Sequence, residues 1–113
     1  MYTEEQLSDQ SVIAKLKAEN GPELRAVRTP IGFIVFKKPM RDAWDRWQDK
    51  NLVSKATAST DARELCQECL ATGCTSDEFR AALDAKPGLL QGEFMSAIGD
   101  MAGWNDKFEV KKL

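Results

Sequence analysis

Residues Phe33 to Trp47, FIVFKKPMRDAWDRW, decide the fold, because the hydrophobic pattern changes period inside them. Phe33, Ile34, Val35 and Phe36 make a dense apolar run of strand length, and Lys37-Lys38 closes it with charge. Pro39 follows and suits the first turn of a helix, where its missing N–H costs nothing. Met40, Ala43, Trp44 and Trp47 then recur at helical spacing, so one face of that helix is strongly apolar. A strand that runs straight into a helix predicts mixed α and β structure.

Working toward the N-terminus, Leu24 to Arg28 reads as a second short strand. Thr29-Pro30-Ile31-Gly32 lies between the two and supplies the residues of a hairpin turn. A lone two-stranded hairpin is marginal in water, so this one must lie against helices. Upstream, a helix begins either at Thr3, where TEEQ forms a capping box, or at Ser8. Val12, Ile13 and Leu16 give it a buried stripe, and Asn20-Gly21-Pro22 stops it. Leu7 falls off that stripe and is a candidate contact residue.

Toward the C-terminus, Lys50 to Ser59 is polar and small and predicts a mobile connection. Thr60 or Asp61 is expected to cap a helix running to about Thr72, whose one face collects Ala62, Leu65, Cys66, Cys69 and Leu70, with Gly73 at its end. Thr75 to Glu78 is a second capping box, opening a short helix with Phe79, Ala82 and Leu83 inward. Pro87-Gly88 breaks the chain. A last helix is predicted from Leu89 to Ala102, with Leu90, Phe94, Ala97, Ile98 and Met101 on one face and Gly103 closing it. The expected fold is therefore α+β and mostly α-helical: an N-terminal helix, a short β-hairpin, then about four helices in one small domain. Residues 1–23 form the N-terminal helix and linker, 24–103 the hairpin and helical core, and 104–113 a charged tail.

A chain of 113 residues allows one core of modest size. The apolar fraction of 42% and charged fraction of 30% are ordinary for a folded protein, and no apolar run reaches membrane-spanning length. MYTEEQLSDQ has acids where a secretory signal needs a basic region, which points away from export. A net charge of −2, with the basic residues dispersed, gives nucleic-acid binding no electrostatic support.

Cys66, Cys69 and Cys74 contain a CxxC, yet a tetrahedral zinc site needs a fourth ligand and the chain has no histidine. On a helix face beside Leu65 and Leu70 these cysteines read as small hydrophobes, and an odd number of them fits a reducing compartment. The absence of histidine also removes Ser/His/Asp and Cys/His nucleophile arrangements. Asp42, Asp45 and Asp49 recur at helical spacing but look like a solvated face, and no Gly-rich phosphate loop is present. The reading is of a protein that is not an enzyme and needs no cofactor or metal.

The order of elements resembles a known family. A hairpin ending in Phe36-Lys37-Lys38-Pro39 and followed by a helix carrying Trp44 and Trp47 is similar to the tail assembly chaperones of long-tailed bacteriophages and prophages. The helix from Arg63 to Leu70, the acid-rich restart at Ser76 to Phe79, the Lys86-Pro87-Gly88 break and a final helix closing in Ala102-Gly103 continue that pattern in the same order. The resemblance covers residues 24 to 103 and implies a non-catalytic protein of the bacterial host cytoplasm. Its implied partners are the tape measure protein, a long helical chain with exposed apolar stripes, and the tail tube subunits it helps recruit; homo-oligomers are compatible with it. Many members also have a longer frameshifted product, and Lys111-Lys112 is a dipeptide that an A-rich slippery codon run encodes. A groove for a helix needs adaptable apolar side chains, and Leu7, Met40, Trp44, Trp47, Met95, Met101 and Trp104 are the candidates. Trp44 and Trp47 read more readily as core; Trp104 and Leu7, off the main stripes, read as contact surface. The alternatives are a head–tail connector or tail completion protein, and a small host adaptor or regulator.

Overall fold

The structure, a computed structural model, describes residues 1–53, 58–104 and 111–112. It is α+β, with a two-stranded antiparallel hairpin set among helices. Strand β1 (Leu24–Thr29) pairs with β2 (Gly32–Lys37) in the register Thr29 opposite Gly32, Val27 opposite Ile34 and Arg25 opposite Phe36. Only Pro30 and Ile31 remain in the loop. Gly32 takes φ +137°, a conformation L side chains rarely adopt, and the buried Thr29 hydroxyl donates to Gly32 O at 2.6 Å.

Strand alternation gives the hairpin two apolar faces. Val27, Ile34 and Phe36 point into the main core, where they join Ala62, Leu65, Cys66, Phe79, Phe94 and Ile98 from the helices. Val35 points the other way, onto a smaller cluster with Leu16 and Ala71, flanked by Tyr2, Leu7, Val12 and Leu24. Helices therefore cover both faces of the sheet, as a hairpin this short requires.

Of the two alternative starts, Thr3 caps a first short helix, whereas Ser8 closes that helix and the next one is capped a residue later. Thr3 and Gln6 close a capping box on α1 (Glu4–Leu7), and Asp9 caps a second helix, α2 (Gln10–Asn20). Leu16 is buried and Val12 and Ile13 half-buried. Asn20 ties the end of α2 to the loop at Thr72, its amide donating to Thr72 Oγ1 at 2.7 Å and its Oδ1 accepting from Thr72 N at 3.1 Å. Ahead of α1, Tyr2 exchanges two backbone hydrogen bonds with Phe33 at 2.9 and 3.0 Å.

Helix α3 (Arg41–Val53) starts two residues beyond Pro39, so the proline precedes the first turn instead of occupying it. Helix α4 (Ala58–Glu68) begins earlier than expected, placing Thr60 and Asp61 inside its first turn. Of the Lys50 to Ser59 stretch read as a mobile connection, residues 50–53 belong to α3 and 58–59 to α4; residues 54–57 lie outside the described ones, as do 105–110 and 113 of the tail. Helix α4 also ends at Glu68 rather than near Thr72. The chain leaves it there because β2 has an open edge to cover: Cys69 O accepts from Lys37 N at 2.8 Å, and Ala71 N donates to Val35 O at 2.9 Å.

Helix α5 (Ser76–Ala85) carries the expected capping box of Thr75 and Glu78. Glu78 has a second role, since the Met1 ammonium donates to its Oε2 at 2.8 Å and to Gly73 O at 2.6 Å. The hydrogen bond from that ammonium, reinforced by Thr75, holds the Glu78 carboxyl below its ordinary value. A carboxyl whose pKa is lower folded than unfolded adds stability that is present above its unfolded pKa and is lost as pH falls through the folded one. Glu78→Gln keeps the capping box but loses the ion pair, so it is expected to be less stable than the parent at neutral pH and equal to it in strong acid. Urea unfolding of both proteins across that range checks this.

The last predicted helix is two pieces, a π-helical turn (Leu90–Phe94) followed by α6 (Met95–Met101). Leu90, Phe94 and Ile98 are all buried and spaced by four, which on a regular α-helix rotates the apolar face by roughly 40° per step. The wider π turn absorbs part of that drift and keeps all three over the core.

Candidate functional site

Trp44 and Trp47, three apart on α3, stack against each other with ring centroids 4.9 Å apart. Helix α4 packs beside α3 and presents Ala58 and Ala62, four apart and small, to the same space. Met95, Ser96 and Gly99 reach it from α6, and Gln91 from the π turn. The remaining wall comes from the end of α6. Gly103, at φ +83°, donates to Asp100 O at 3.2 Å, and Trp104 N donates to Gly99 O at 2.8 Å, which is a Schellman motif. That turn folds Trp104 back over Gly99, where an added Cβ would stand 3.6 Å from Trp104 Cβ. The Trp104 ring then meets Trp44 and Trp47 edge-on at 5.8 and 6.4 Å.

The result is a groove of about 330 Å³, lined among the described residues by Trp44, Trp47, Trp104, Met95, Ala58, Ala62 and Gly99, with Gln91 and Ser96 as its polar members. All three tryptophans of the chain line it. Small residues make the floor and large rigid ones the walls, which is the shape that accepts a protruding apolar side chain. The Trp47 indole N–H is buried and has no hydrogen-bond partner among the described residues. Such a donor carries a desolvation cost that an arriving acceptor would relieve. Arg46 with Glu68 at 3.3 Å and Lys50 with Glu64 at 3.1 Å bridge α3 to α4 beside Trp47.

Four of the residues singled out in the sequence meet here: Trp44, Trp47, Met95 and Trp104. The other three lie elsewhere. Met40 is 71% exposed and borders a separate hollow with Lys37, Lys38, Asp42, Ala43, Arg46, Glu68 and Cys69. Met101 is 5% exposed, inside the main core. Leu7 is half-buried against the cluster of Leu16 and Val35. Ala58, Gln91, Ser96 and Gly99 carry no signal of their own in the sequence, and Ala62 reads there only as part of an inward helix face. The Gly103-Trp104 pair does, because an aromatic residue just past a closing glycine is the usual partner of a Schellman turn.

The cysteines sit apart from the groove's surface. Burial pushes the Cys69 thiol up to about 12 and Cys66 further up, and it raises Cys74 as well. Cys66 Sγ lies 3.6 Å from Met95 Sδ, and Cys74 Sγ accepts from Val35 N at 3.4 Å. Thiols so placed carry almost no thiolate at neutral pH. Cys66 and Cys69 are therefore expected to stay unreactive toward a disulfide dye until the protein unfolds, and a stopped-flow thiol titration with and without urea checks it. Among the described residues, no group of three or more acidic or cysteine side chains is placed to hold a metal ion, and no helix is long and apolar enough to cross a membrane. Asp42, Asp45 and Asp49 are all exposed on α3.

Comparison with known proteins finds no matching family model, no similar curated protein and no matching solved structure.

Proposed function

We propose that this chain is a bacteriophage tail assembly chaperone, a non-catalytic protein that holds an apolar helical stretch of the tape measure protein in the tryptophan groove while the tail is built. The observation that carries this reading is the convergence of Trp44, Trp47 and Trp104 with Met95 on one groove. Flat aromatic walls and a flexible thioether adapt to many apolar side chains, as a chaperone of a long repetitive helix needs. Recruitment of tail tube subunits and residence in the host cytoplasm belong to the same reading, through the resemblance of residues 24 to 103.

Because every tryptophan lines the groove, intrinsic fluorescence reports on its occupancy. Titration with a tape measure fragment is expected to shift the emission, and absence of both shift and binding overturns the proposal. Trp104 is 62% exposed, so Trp104→Ala is expected to cost about 1 kcal/mol of stability or less. The same variant is expected to weaken fragment binding by about tenfold or more. Thermal denaturation alongside the titration separates the two effects, and a collapse of Tm would place Trp104 in the core instead.

A further inference from the structure

The two edges of the hairpin differ. On the β2 edge every outward backbone group named below is engaged. Phe33 N and O bond to Tyr2, Val35 O accepts from Ala71 N and Val35 N donates to Cys74 Sγ, and Lys37 N donates to Cys69 O. In an antiparallel ladder, residues opposite these also turn their backbone groups away from the pair. Opposite Phe33, Val35 and Lys37 stand Arg28, Ala26 and Leu24. Leu24 O accepts from Arg25 Nη1 at 3.0 Å, whereas the outward N–H and C=O of Ala26 and Arg28 have no partner among the described residues.

That edge borders a groove of about 370 Å³. Arg25, Ala26, Val27 and Arg28 form one wall, and Glu93, Ser96, Ala97 and Asp100 form the other. The charges in it are nearly balanced internally. Arg25 pairs with Asp100 at 3.1 Å, and Arg28 pairs with Glu4 at 3.3 Å and lies 5.1 Å from the Phe33 ring centre. Glu93 is exposed and has no ion-pair partner among the described residues.

We propose that β1 is a docking edge for an extended segment of another protein, which adds as a third strand along Ala26 and Arg28 and places a lysine or arginine over Glu93. Backbone pairing supplies the affinity, and the basic side chain, followed two residues on by a small apolar one over Ala97, supplies the selectivity. A second copy of this chain is the poorer occupant. Antiparallel β1 pairing centred on Ala26 would gather four arginines on one short ribbon and bring two copies of Glu93 and Asp100 together. Ser96 lines both this groove and the tryptophan groove, so the helix carrying it separates two docking surfaces of different chemistry.

The test uses the full chain and three synthetic octapeptides: Thr-Ser-Thr-Lys-Thr-Val-Thr-Ser, in which valine follows lysine two positions on, its counterpart with glutamate in place of lysine, and the lysine peptide with N-methylated backbone. The lysine peptide is expected to bind with chemical-shift changes at the amides of Ala26, Arg28 and Glu93, and the other two about tenfold more weakly or not at all. Ala26→Pro removes an outward donor without touching the β1–β2 ladder, and it is expected to weaken the lysine peptide by about fivefold to tenfold at unchanged Tm. Glu93→Lys, a surface change that leaves folding intact, is expected to reverse the preference between the charged peptides. No binding of the lysine peptide, equal binding by both variants, or a concentration-dependent dimer abolished by Ala26→Pro would each overturn the proposal, the last by naming a second copy as the occupant.

Discussion

Phe94→Ala is expected to lower the unfolding free energy by about 3–5 kcal/mol. The ring has no solvent exposure and stands between Phe36 at 5.1 Å and Phe79 at 5.4 Å. It thus joins β2, α5 and the final helix, and no other described side chain touches both of those phenylalanines through a ring contact. Its removal forfeits the transfer energy of the ring and leaves a cavity among rigid aromatic neighbours that cannot close over it. A domain of this size has about 5–10 kcal/mol in total, so the variant stands at the edge of folding. Urea denaturation of the variant against the parent measures the loss. A decrease below about 1 kcal/mol would mean that Phe36 and Phe79 collapse onto each other and that the three-ring stack is dispensable.

Gly73→Ala is expected to cost about 2–3 kcal/mol, far more than an alanine on an exposed loop ordinarily would. Gly73 takes φ +88°, where an L side chain costs about 1–2 kcal/mol by itself. A Cβ at this position also overlaps the Tyr2 hydroxyl and falls 2.8 Å from the ring carbon that bears it. Tyr2 then gives up its 2.7 Å hydrogen bond to Thr72 O, and the two backbone bonds between Tyr2 and Phe33 lose their anchor. The loss therefore concentrates on the N-terminal segment and on the β2 edge it covers. Hydrogen exchange is expected to accelerate at Phe33 more than at Ile34, since the Phe33 amide donates to Tyr2 whereas Ile34 faces β1. Uniform acceleration across the hairpin would show that the whole sheet, and not its edge, depends on Gly73.

Local chemistry in this chain was written plainly. The boxes at Thr3 and Thr75, the stop at Asn20-Gly21, the hairpin turn within Thr29 to Gly32 and the inward sets on α4 and α5 each depend on residues within a turn or two of one another. Hydrogen-bond geometry over so short a span leaves few alternatives, so pattern and structure agree there. The limits of α4 were misjudged for the opposite reason. Cys69 to Ala71 have helical spacing, but they are drawn out of the helix by unpaired groups on β2, more than thirty positions away.

The candidate site divides in the same way. Its walls were visible as large apolar residues, and Trp104 stood out because it follows Gly103. Trp44 and Trp47 read more readily as core, and the structure has them half-buried, packed against the main core and lining the groove with Trp104 as well. The floor was nearly silent: Ala62 reads only as part of an inward helix face, and Ala58 and Gly99 announce nothing until helices approach over them.

From sequence alone the order of this protein's elements, the capping boxes at Thr3 and Thr75 and the inward residues of α5 were determined, because each is settled by short-range sterics and hydrogen bonding. Tertiary structure alone decided that residues 44, 47, 95 and 104 share a groove and that, among the described residues, an indole N–H has no acceptor and one strand edge is covered while the other is open. Those features depend on how distant segments close on one another, a relation that no local period encodes.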